Sequence, residues 1–564
     1  MDKRRKRLFL SVGALILLFA VLLLGICHPA GSWFFPAIVP DATENALAAW
    51  DFVHNGRCGF FLNGVWHPAR YSPVLSVTFF APWIFLFSGE MTAGVYGCFA
   101  ALGILFLAFA GIGKLLKSFP AVLLSLPLLL LLPNFVVLCN SAMTEIPYTA
   151  LLALLLFLLL KTAEKEELSA SLLLCSGVTA AWAGGIRSTG FFLLLPFLLL
   201  LFLRGRNWKE RTGKGLLLLL PSLLTLCGIL FYNFKVFGSP LRSGYHYWFP
   251  VPYDFPFLTF SYAYARDNFR VLLSPGQLLP FLFFLAGSLL YFHFARRKKE
   301  EELFLHLWKW GFFFILLHHA ILLGLYLFHY CCFDRFFLPS SALEIFGGSL
   351  AFWRMVKLFS PLRNRKKILV CFSLAALLFA GGVTKLKTPL PLLVTYAEAM
   401  ILTLCGEVLP EDAVVITSFN PALSAFLLGK GRKILPVSRR LEYAGKAVSR
   451  EFIGNASAFA ESPPEFPTDH LAALRAYPEK KVFPALPQVL IECLPGKPGG
   501  KEERWVLDRE LLRKNKVFIT NMAVYQIPEE FRERFLKETK LLKTAENGPV
   551  QLFRVLPAES GTFL

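Results

Sequence analysis

The chain has 564 residues, of which 55% are hydrophobic and only 17% are charged, and its mean hydropathy is +0.55. A soluble protein of this length needs a larger polar surface, so the composition excludes that class and indicates a polytopic membrane protein. The net charge of +20 falls largely between apolar runs, which favours the lipid bilayer over nucleic acid as the partner.

Eleven apolar runs can form membrane-spanning helices. They lie at residues 8–27, 91–113, 120–139, 146–160, 170–186, 188–203, 215–232, 275–295, 308–329, 336–353 and 368–386. The run at 146–160 is short, so it must be extended at its ends or be accommodated by local thinning of the bilayer. A further apolar run, 74–88, is interpreted as an interfacial or re-entrant segment.

Basic clusters determine the predicted topology. The sequence KRRKR at residues 3–7 places the N-terminus in the cytoplasm. If 74–88 does not cross, the other predicted cytoplasmic segments are the loop around Lys114 and Lys117, 161–167, 204–214, 295–302 and 354–367. If it crossed, the strongest basic clusters would all lie outside. The prediction is therefore an eleven-span protein of the cytoplasmic membrane with an extracytoplasmic C-terminus.

The composition changes at about residue 388. LPEDAVVITS and KILPVS are predicted strands around a short helix, PALSAFLLG, and VLIE, WVLDRELLRKN, VFIT, FRERFLKETKLL and VQLFRVLP continue the alternation of strand and helix. We therefore expect two domains. Residues 1–387 form an α-helical transmembrane domain with a large first outer loop, 28–90, and residues 388–564 form a small α/β extracytoplasmic domain.

The first outer loop carries two acids, Asp41 and Glu44, at the start of a predicted helix that Asn55-Gly56 ends. One interpretation is that an acid here is a general base, which takes a proton from an acceptor hydroxyl. The alternative is a capping box, because an Asp followed three residues later by a Glu is also a helix N-terminal pattern. The two interpretations are compatible.

The same loop ends in HPARYSP, where two prolines favour a stiff, extended turn. In the functional interpretation, His67 or Arg70 meets a donor phosphate or a sugar hydroxyl. Arginine suits phosphate because its planar fork pairs with two oxygens at once. The alternative is a rigid connector without a ligand.

A second outer acid, Glu145, lies in NSAMTEIPY at the start of a predicted span. A helix start capped by Ser141 or Thr144, with the acid in its first turn, is the alternative to a functional role. Two outer acids, Asp41 and Glu145, could position donor and acceptor or hold a divalent metal through oxygen ligands. The sequence leaves the metal undecided.

Cations and aromatic residues recur at the outer ends of later spans. The candidate donor-binding residues among them are Arg187, Lys235, Arg242, Tyr245 and Arg335. They could bind the phosphate of a lipid-linked donor, or pair nonspecifically with lipid head groups. Tyr245, Tyr247 and Trp248 could stack on a sugar or belong to an interfacial aromatic belt.

The order of these motifs resembles that of the GT-C superfamily of membrane glycosyltransferases. The shared pattern consists of the helix after Asp41, HPARYSP, TEIPY, GGIRSTGF, FGSPLRSGY and DRFFLP. It is most similar to the glycosyltransferase 39 group, which includes protein O-mannosyltransferases and the bacterial lipid A aminoarabinose transferase. The resemblance covers the organisation of roughly the first 390 residues.

The resemblance implies an inverting glycosyltransferase at the outer face of the cytoplasmic membrane. Its donor is a hexose or pentose on a polyprenyl phosphate, and its acceptor is a hydroxyl of a glycolipid, polysaccharide or protein. The family's base is an acid in the first outer loop, which corresponds to Asp41, and Glu145 corresponds to the second outer-loop acid. A common form of the motif has two adjacent acids, whereas Glu44 stands three residues on, so the base is either Asp41 or Glu44.

Two other classes compete with the enzyme. A transporter or flippase for a polar lipid would place ionisable residues near the bilayer midplane, often in broken helices and inverted repeats. The charged residues here lie at the outer ends, and no repeat is present. A scaffold with a sensory outer domain leaves the order of the motifs unexplained.

Overall fold

The structure is a computed structural model that describes residues 40–359, apart from gaps at 87–88, 131, 133–134, 140, 249–252, 254–255 and 296–301. Of the C-terminal part it describes 409–417, 421–428, 432–436, 441–443, 446–448, 516–526, 536–537, 539–547 and 550–557. The predicted spans at 8–27 and 368–386 lie outside the described residues.

The chain divides into two compact units whose segments alternate along the sequence. One, here called the helical unit, includes Ser72–Tyr232 and Tyr264–Lys387. The other, here called the loop–sheet unit, combines Ile38–Tyr71 and Asn233–Ala263 with Thr388–Leu564. This division differs from the predicted domains, because two segments from within the first 387 residues group with the C-terminal part.

Helices make up most of the described chain. The main ones are α1 (Pro40–Asn55), α2 (Glu90–Leu115), α3 (Phe119–Leu130), α4 (Glu145–Glu164), α5 (Ala170–Ile186), α6 (Leu195–Arg204), α7 (Trp208–Phe237), α8 (Ala265–Leu272), α9 (Pro275–Ala295), α10 (Glu302–Tyr326), α11 (Leu338–Phe359), α12 (Pro421–Leu428) and α13 (Asn521–Gln526). Shorter helical pieces occupy Pro73–Leu75, Ser76–Phe80, Ala81–Ile84, Phe135–Cys139, Ser188–Leu194, Gly244–Trp248, Pro256–Thr259, Tyr262–Tyr264 and Asp334–Phe337.

Five described helices are long and apolar enough to cross a membrane, namely α2, α4, α7, α9 and α10. The short run at 146–160 is extended at both ends into the 20-residue α4, and an ion pair of 2.6 Å between Lys161 and Glu164 offsets the charges in its last turn. Because α4 packs against α2, α5, α10 and α11, nearly all of its side chains are buried. The total of eleven spans stays a prediction.

Two other runs depart from simple spans. The run at 120–139 was expected to be one span, but it forms α3 and the separate piece Phe135–Cys139. The sequence has Pro133 between them, and proline lacks the N–H that continues a helix. The interfacial candidate forms helical pieces over Pro73–Ile84. Twelve helical residues extend only about 18 Å, which is less than the roughly 30 Å of a hydrocarbon core.

The loop–sheet unit contains the described strands. They are β1 (Gly59–Leu62), β2 (Val65–Pro68), β3 (Val414–Thr417), β4 (Lys433–Pro436), β5 (Leu441–Tyr443), β6 (Lys446–Val448), β7 (Val517–Thr520), β8 (Thr539–Asn547) and β9 (Val550–Pro557). β1 and β2 form an antiparallel hairpin. A five-stranded sheet has the order β4-β3-β7-β9-β8, in which β4, β3 and β7 are parallel and the other pairings are antiparallel.

The predicted strands VVIT, KILP, VFIT and VQLFRVLP and the helix PALSAFLL are all present. The expected helix over FRERFLKETKLL is wrong at its end, because β8 begins at Thr539 and pairs with β9. Pairing with a distant or following strand overrides a local helical pattern. The sequence also carries a hairpin signal here, because Asn547, the last residue of β8, is followed by Gly548.

The hairpin of the first loop shares a hydrophobic core with the C-terminal sheet. Phe60 and Leu62 from β1 are buried in one cluster with Val415, Ile434 and Phe518 of the sheet strands. α1 packs against both β1 and α12. This shared core is the physical reason why the first loop groups with the C-terminal part of the chain.

Candidate active site

Two carboxylates from the first turn of α1 converge on one guanidinium. Asp41 and Glu44 are three residues apart and therefore share a helix face. Arg70, which follows β2, donates from Nη2 to Asp41 Oδ1 at 2.8 Å and from Nε to Glu44 Oε2 at 2.6 Å. The backbone N–H of Arg70 also donates to Glu44 Oε1. The turn HPARYSP thus closes onto the start of α1.

The two acids differ in their surroundings. The side chain of Glu44 is 2% exposed and accepts hydrogen bonds at both oxygens, whereas that of Asp41 is 15% exposed. Burial raises the pKa of the Glu44 carboxyl, and the ion pair and hydrogen bonds with Arg70 act in the opposite direction. Glu44 is therefore enclosed, while Asp41 remains accessible to a ligand.

The capping-box interpretation is disfavoured for Glu44, because Arg70 engages both of its carboxylate oxygens. Asp41 lies inside α1, one residue after its start at Pro40. Burial alone would lower the pKa of Arg70, but Glu44, Tyr71 and Asp41 together raise it well above its usual value. Arg70 was predicted to bind a donor phosphate; in the structure its guanidinium holds the two acids.

Close backbone packing brings an aromatic cluster beside Arg70. A Cβ on Gly244 would meet the carbonyl oxygen of Ala69, so only glycine allows the piece Gly244–Trp248 to approach the turn this closely. Tyr245 then lies edge-on to Tyr71, with ring centroids 5.7 Å apart, and 4.9 Å from the ring of Tyr253. The predicted site residue Tyr245 therefore lies beside Tyr71 and close to Arg70.

His67 is a buried residue of β2. Its Nδ1 lies 2.9 Å from the hydroxyl of Tyr247, and its ring faces that of Phe60 across the hairpin. Burial lowers the pKa of His67, so its imidazole is neutral near pH 7. The structure thus places this predicted donor-binding residue inside the packing of the loop–sheet unit.

The second arginine–acid pair lies in the helical unit, where α4 begins. Arg187 Nη2 donates to Glu145 Oε1 at 2.7 Å and to Thr144 Oγ1 at 2.7 Å. Thr144 precedes α4 but makes no side-chain capping hydrogen bond, since its hydroxyl serves Arg187 and Glu145 instead. The helix-cap interpretation of this stretch is therefore disfavoured.

Arg187 and Arg335 flank one aromatic ring. The guanidinium carbons lie 6.0 Å and 5.5 Å from the ring centroid of Phe336, respectively. The Nη1 atom of Arg187 is buried and finds no hydrogen-bond partner among the residues that the structure describes. Arg187 thus pairs with Glu145 and shares the Phe336 ring with Arg335, so these three charged side chains together carry a net positive charge.

Sequence reasoning missed a polar path beneath this cluster. The hydroxyl of Tyr148 lies 2.9 Å from Thr189 Oγ1 and 3.5 Å from His318 Nε2, and His318 Nδ1 lies 2.7 Å from Ser340 Oγ. Tyr148 also places its ring 5.7 Å from the guanidinium carbon of Arg187. The signal was present in the sequence, because paired histidines interrupt the apolar run FFFILLHHAILLG.

A buried ion-pair geometry lies farther along the same helices. His319 Nδ1 of α10 is 2.6 Å from Glu344 Oε1 of α11, and Phe281 stacks on the imidazole. Glu344 is the seventh residue of α11, which places it about 9 Å along the helix from its start. An acid and a histidine inside apolar helices are functional candidates on physical grounds.

The remaining predicted cations are more peripheral. Lys235 is exposed in the last turn of α7, and Arg242 is half-buried in the turn that follows. No group of three or more His, Cys, Asp or Glu side chains with metal-binding geometry occurs in the described part of the chain. Asp41 and Glu145 each accept an arginine hydrogen bond at a carboxylate oxygen. A metal on these acids stays a prediction.

Three solved structures share this architecture at low sequence identity. No protein-family model and no curated protein sequence matches the chain. ArnT from Cupriavidus metallidurans, bound to undecaprenyl phosphate, matches with a TM-score of 0.50 and 12% identity over 98% of this chain and 99% of that chain. The archaeal oligosaccharyltransferase AglB from Archaeoglobus fulgidus, with an inhibitory peptide and a dolichol-phosphate, matches with a TM-score of 0.51 and 12% identity over 100% of this chain and 76% of that chain.

A further structure of the Archaeoglobus fulgidus oligosaccharyltransferase, in complex with zinc and sulfate, gives a TM-score of 0.52 and 12% identity over 97% of this chain and 73% of that chain. The chain therefore has the GT-C fold of membrane glycosyltransferases and is a multi-pass membrane protein. The predicted type of fold is confirmed; membership of the superfamily and the narrower assignment to the glycosyltransferase 39 group stay predictions.

Proposed function

We propose that this protein transfers a sugar from a polyprenyl-phosphate donor to an acceptor hydroxyl. The observation that carries the proposal is the opposite net charge of the two arginine clusters. Among the contacts of the described residues, Asp41 and Glu44 both pair with Arg70. Glu145 pairs with Arg187, and the guanidinium of Arg335 lies against the same ring, Phe336, as that of Arg187. A proton acceptor needs the first environment, and a phosphate leaving group needs the second.

Asp41 is the proposed base. It is the more accessible of the two acids, and its hydrogen bond from Arg70 fixes the carboxylate in place. Glu44 holds the backbone and side chain of Arg70 and thus maintains the arrangement. The proposal therefore assigns the role of base to Asp41 and a supporting role to Glu44.

Arg187 and Arg335 are the proposed donor-phosphate ligands. The buried Nη1 of Arg187, which has no partner among the described residues, supplies donors that suit a phosphate oxygen. The solved structures of two fold neighbours contain undecaprenyl phosphate and a dolichol-phosphate, both of them polyprenyl phosphates. Glu145 orients Arg187 through the 2.7 Å ion pair.

The transfer conserves atoms and charge. The acceptor O–H bond breaks and its proton goes to a carboxylate oxygen of Asp41. The acceptor oxygen bonds to the anomeric carbon from the side opposite the phosphate, and the carbon–oxygen bond to the phosphate breaks. The phosphate oxygen takes that electron pair, so the products are an inverted glycoside and the free polyprenyl phosphate. The arginines stabilise the charge that develops on the phosphate.

The remaining predicted residues receive supporting roles. Tyr245, packed with Tyr71 next to Arg70, offers an aromatic surface for a sugar. Lys235 and Arg242 offer positive charge for lipid head groups. The reaction takes place at the outer face of the cytoplasmic membrane, with the N-terminus in the cytoplasm and the C-terminal α/β domain outside. The transferred group is a hexose or a pentose, and the acceptor is a glycolipid, glycan or protein.

A lipid transporter is the second candidate, and one observation favours it. The pair His319–Glu344 lies within helices of the helical unit rather than at their ends. Ionisable groups at such depth are typical of transport pathways. The arginine–acid clusters at the starts of α1 and α4 have no role in that alternative.

One reconstitution separates the two candidates. Purified protein in liposomes is given a panel of radiolabelled undecaprenyl-phosphate hexoses and pentoses, with membrane glycolipids and peptides as acceptors. The proposal expects label in an acceptor and release of undecaprenyl phosphate. Movement of donor between leaflets without release would instead establish the transporter. Mass spectrometry of envelope lipids and glycans from cells with and without the protein identifies the natural acceptor.

A further inference from the structure

The turn of the β1–β2 hairpin presents one side chain in a rare backbone conformation. Asn63 and Gly64 both have positive φ, +52° and +79°, which is the geometry of a tight two-residue hairpin turn. Asparagine is among the few residues that adopt this conformation readily. The backbone at the hairpin tip is therefore fixed by local chemistry before any distant contact is made.

The carboxamide of Asn63 pairs with both backbone groups of one residue in the C-terminal sheet. Its Oδ1 accepts from Ile434 N at 2.8 Å, and its Nδ2 donates to Ile434 O at 2.9 Å. Ile434 lies in β4, which is the edge strand of the five-stranded sheet. The side chain therefore satisfies an edge-strand residue as a neighbouring strand would.

Apolar packing lies on one side of these two hydrogen bonds. Phe60 and Leu62, just before the turn, are buried in the core that contains Ile434 and Phe518, and Leu47 of α1 packs against the same cluster. Ile434 is buried, whereas Asn63 is exposed at the tip of the hairpin, so the two hydrogen bonds lie at the edge of this core. The hairpin is thus held to the sheet by a specific polar contact next to a hydrophobic interface.

A short, stiff path connects this contact to the acidic pair. β2 runs from Val65 to Pro68, and Ala69 and Arg70 follow directly. Arg70 then holds Asp41 and Glu44 through its side chain and backbone N–H. A shift of the hairpin against β4 therefore moves the guanidinium on which the position of Asp41 depends.

We propose that Asn63 is a positioning residue for Asp41, and that the C-terminal sheet is the scaffold of the base. Asn63 locks the hairpin to β4, the hairpin fixes Arg70, and Arg70 fixes the carboxylate. This inference rests on the proposed function, in which Asp41 accepts the acceptor proton. It gives the C-terminal domain a role in the chemical step, in addition to any role in binding the acceptor.

Asn63→Gly is the informative variant, because glycine keeps the positive φ of the turn and removes only the carboxamide. Asn63→Asp keeps the acceptor for Ile434 N but loses the donor to Ile434 O. Asn233→Ala is the matched control, since Asn233 lies in the same unit and donates to a backbone carbonyl, Pro240 O, away from the sheet.

The first readout is hydrogen–deuterium exchange on the purified full-length protein. In Asn63→Gly, amides of α1 and of residues 65–71 are expected to exchange about tenfold faster, whereas those of α5 in the helical unit keep the wild-type rate. Asn63→Asp is expected to lie between Asn63→Gly and wild type, and Asn233→Ala to match wild type over α1. Unchanged exchange of α1 in Asn63→Gly overturns the positioning role.

The second readout is kinetic and uses the undecaprenyl-phosphate sugar that proves active in the liposome assay. Loss of position at the base is expected to lower kcat about 10- to 100-fold, with an unchanged KM for the donor, whose proposed ligands belong to the helical unit. Faster amide exchange with an unchanged kcat overturns the proposal. A change in the KM for the donor without a change in kcat also overturns it. If wild-type protein transfers no sugar, the proposed function fails, while the exchange data still decide whether Asn63 holds α1.

Discussion

Arg70 and Arg187 each form an ion pair with a buried glutamate, but the further charged group near each arginine differs in sign. Arg70 is shared between Glu44 and Asp41, whereas Arg187 has Glu145 and a second guanidinium, that of Arg335, across a common ring. An arginine–acid pair therefore does not by itself indicate one function. In the proposed function, the charges around each arginine distinguish the cluster that accepts a proton from the cluster that attracts a phosphate.

The largest expected effect follows from Asp41→Asn. The amide keeps an acceptor for Arg70 Nη2 but cannot take the proton, so transfer is expected to fall about 10²- to 10⁴-fold. The measurement is kcat in the liposome assay. Asp267→Asn, which alters an exposed acid paired with Arg270, is the control and is expected to transfer normally. Full activity of Asp41→Asn would remove this residue from the mechanism.

The next effect concerns the positive cluster. Removing Arg187 alone leaves Glu145 buried without its partner, so the neutral pair Glu145→Gln with Arg187→Gln is the better test. This double variant is expected to lower kcat/KM for the donor about 10²- to 10³-fold. Binding of undecaprenyl phosphate, measured by thermal shift, is expected to be lost with it.

The matched pair in the other unit, Glu44→Gln with Arg70→Gln, sharpens the comparison. It is expected to lower turnover, because Asp41 loses its partner, while binding of undecaprenyl phosphate stays at the wild-type level. If both pairs weakened phosphate binding equally, the two clusters would not differ in function as their charges imply.

A smaller effect is expected for Glu44→Gln alone. Glutamine can still accept the backbone N–H of Arg70 but loses the charge-assisted bond to Nε, which costs about 1–3 kcal/mol of stability. Turnover is expected to exceed that of Asp41→Asn by at least tenfold, roughly 1.4 kcal/mol in barrier. Thermal unfolding and kcat together check this order, and the reverse order would make Glu44 the base.

The smallest expected effect is a pH dependence of the stability of the loop–sheet unit. Burial lowers the pKa of His67 in the folded state below the roughly 6.5 of the unfolded chain. The folded state therefore disfavours protonation of His67. The stabilisation present above pH 6.5 is lost as the pH falls toward the pKa of His67 in the folded state. For one proton, the loss is at most about 1.4 kcal/mol per pH unit.

The checking measurement is amide exchange in β1 and β2 between pH 7.5 and pH 5 or so. His67→Asn places an amide near the position of Nδ1, 2.9 Å from the Tyr247 hydroxyl, and does not titrate. It is expected to flatten the pH dependence, and an unchanged slope in this variant would assign the dependence to other groups.

The sequence predicted the type of fold, because short polar turns at the ends of apolar runs are local patterns that can be read without the structure. It did not predict which arginine binds which group. Arg70 is 29 residues from Asp41, and its pairing depends on how a hairpin folds back on a helix. The capping-box pattern at Asp41 and Glu44 is likewise a local signal that a distant contact overrides.

Local sequence patterns also did not predict which segments of the chain belong to each of the two units. The first outer loop follows an apolar run and looks like a connector of the transmembrane part, yet Asn63 and Ile434 are separated by 371 residues. The strand β8 was assigned as helix for a similar reason, since its partner β9 lies outside the window that a helical pattern covers. The paired histidines at 318 and 319 were visible, but their partners on α4 and α11 were not.

The separation between Asn63 and Ile434 sets an order of assembly during synthesis. At about 5–20 residues per second, the ribosome makes Ile434 roughly 20–70 s after Asn63. Until then the hairpin lacks both β4 and most of its hydrophobic core, so the position of α1, which carries Asp41, is not fixed. A partly made chain would therefore be inserted in the membrane well before it could carry out the transfer proposed for it.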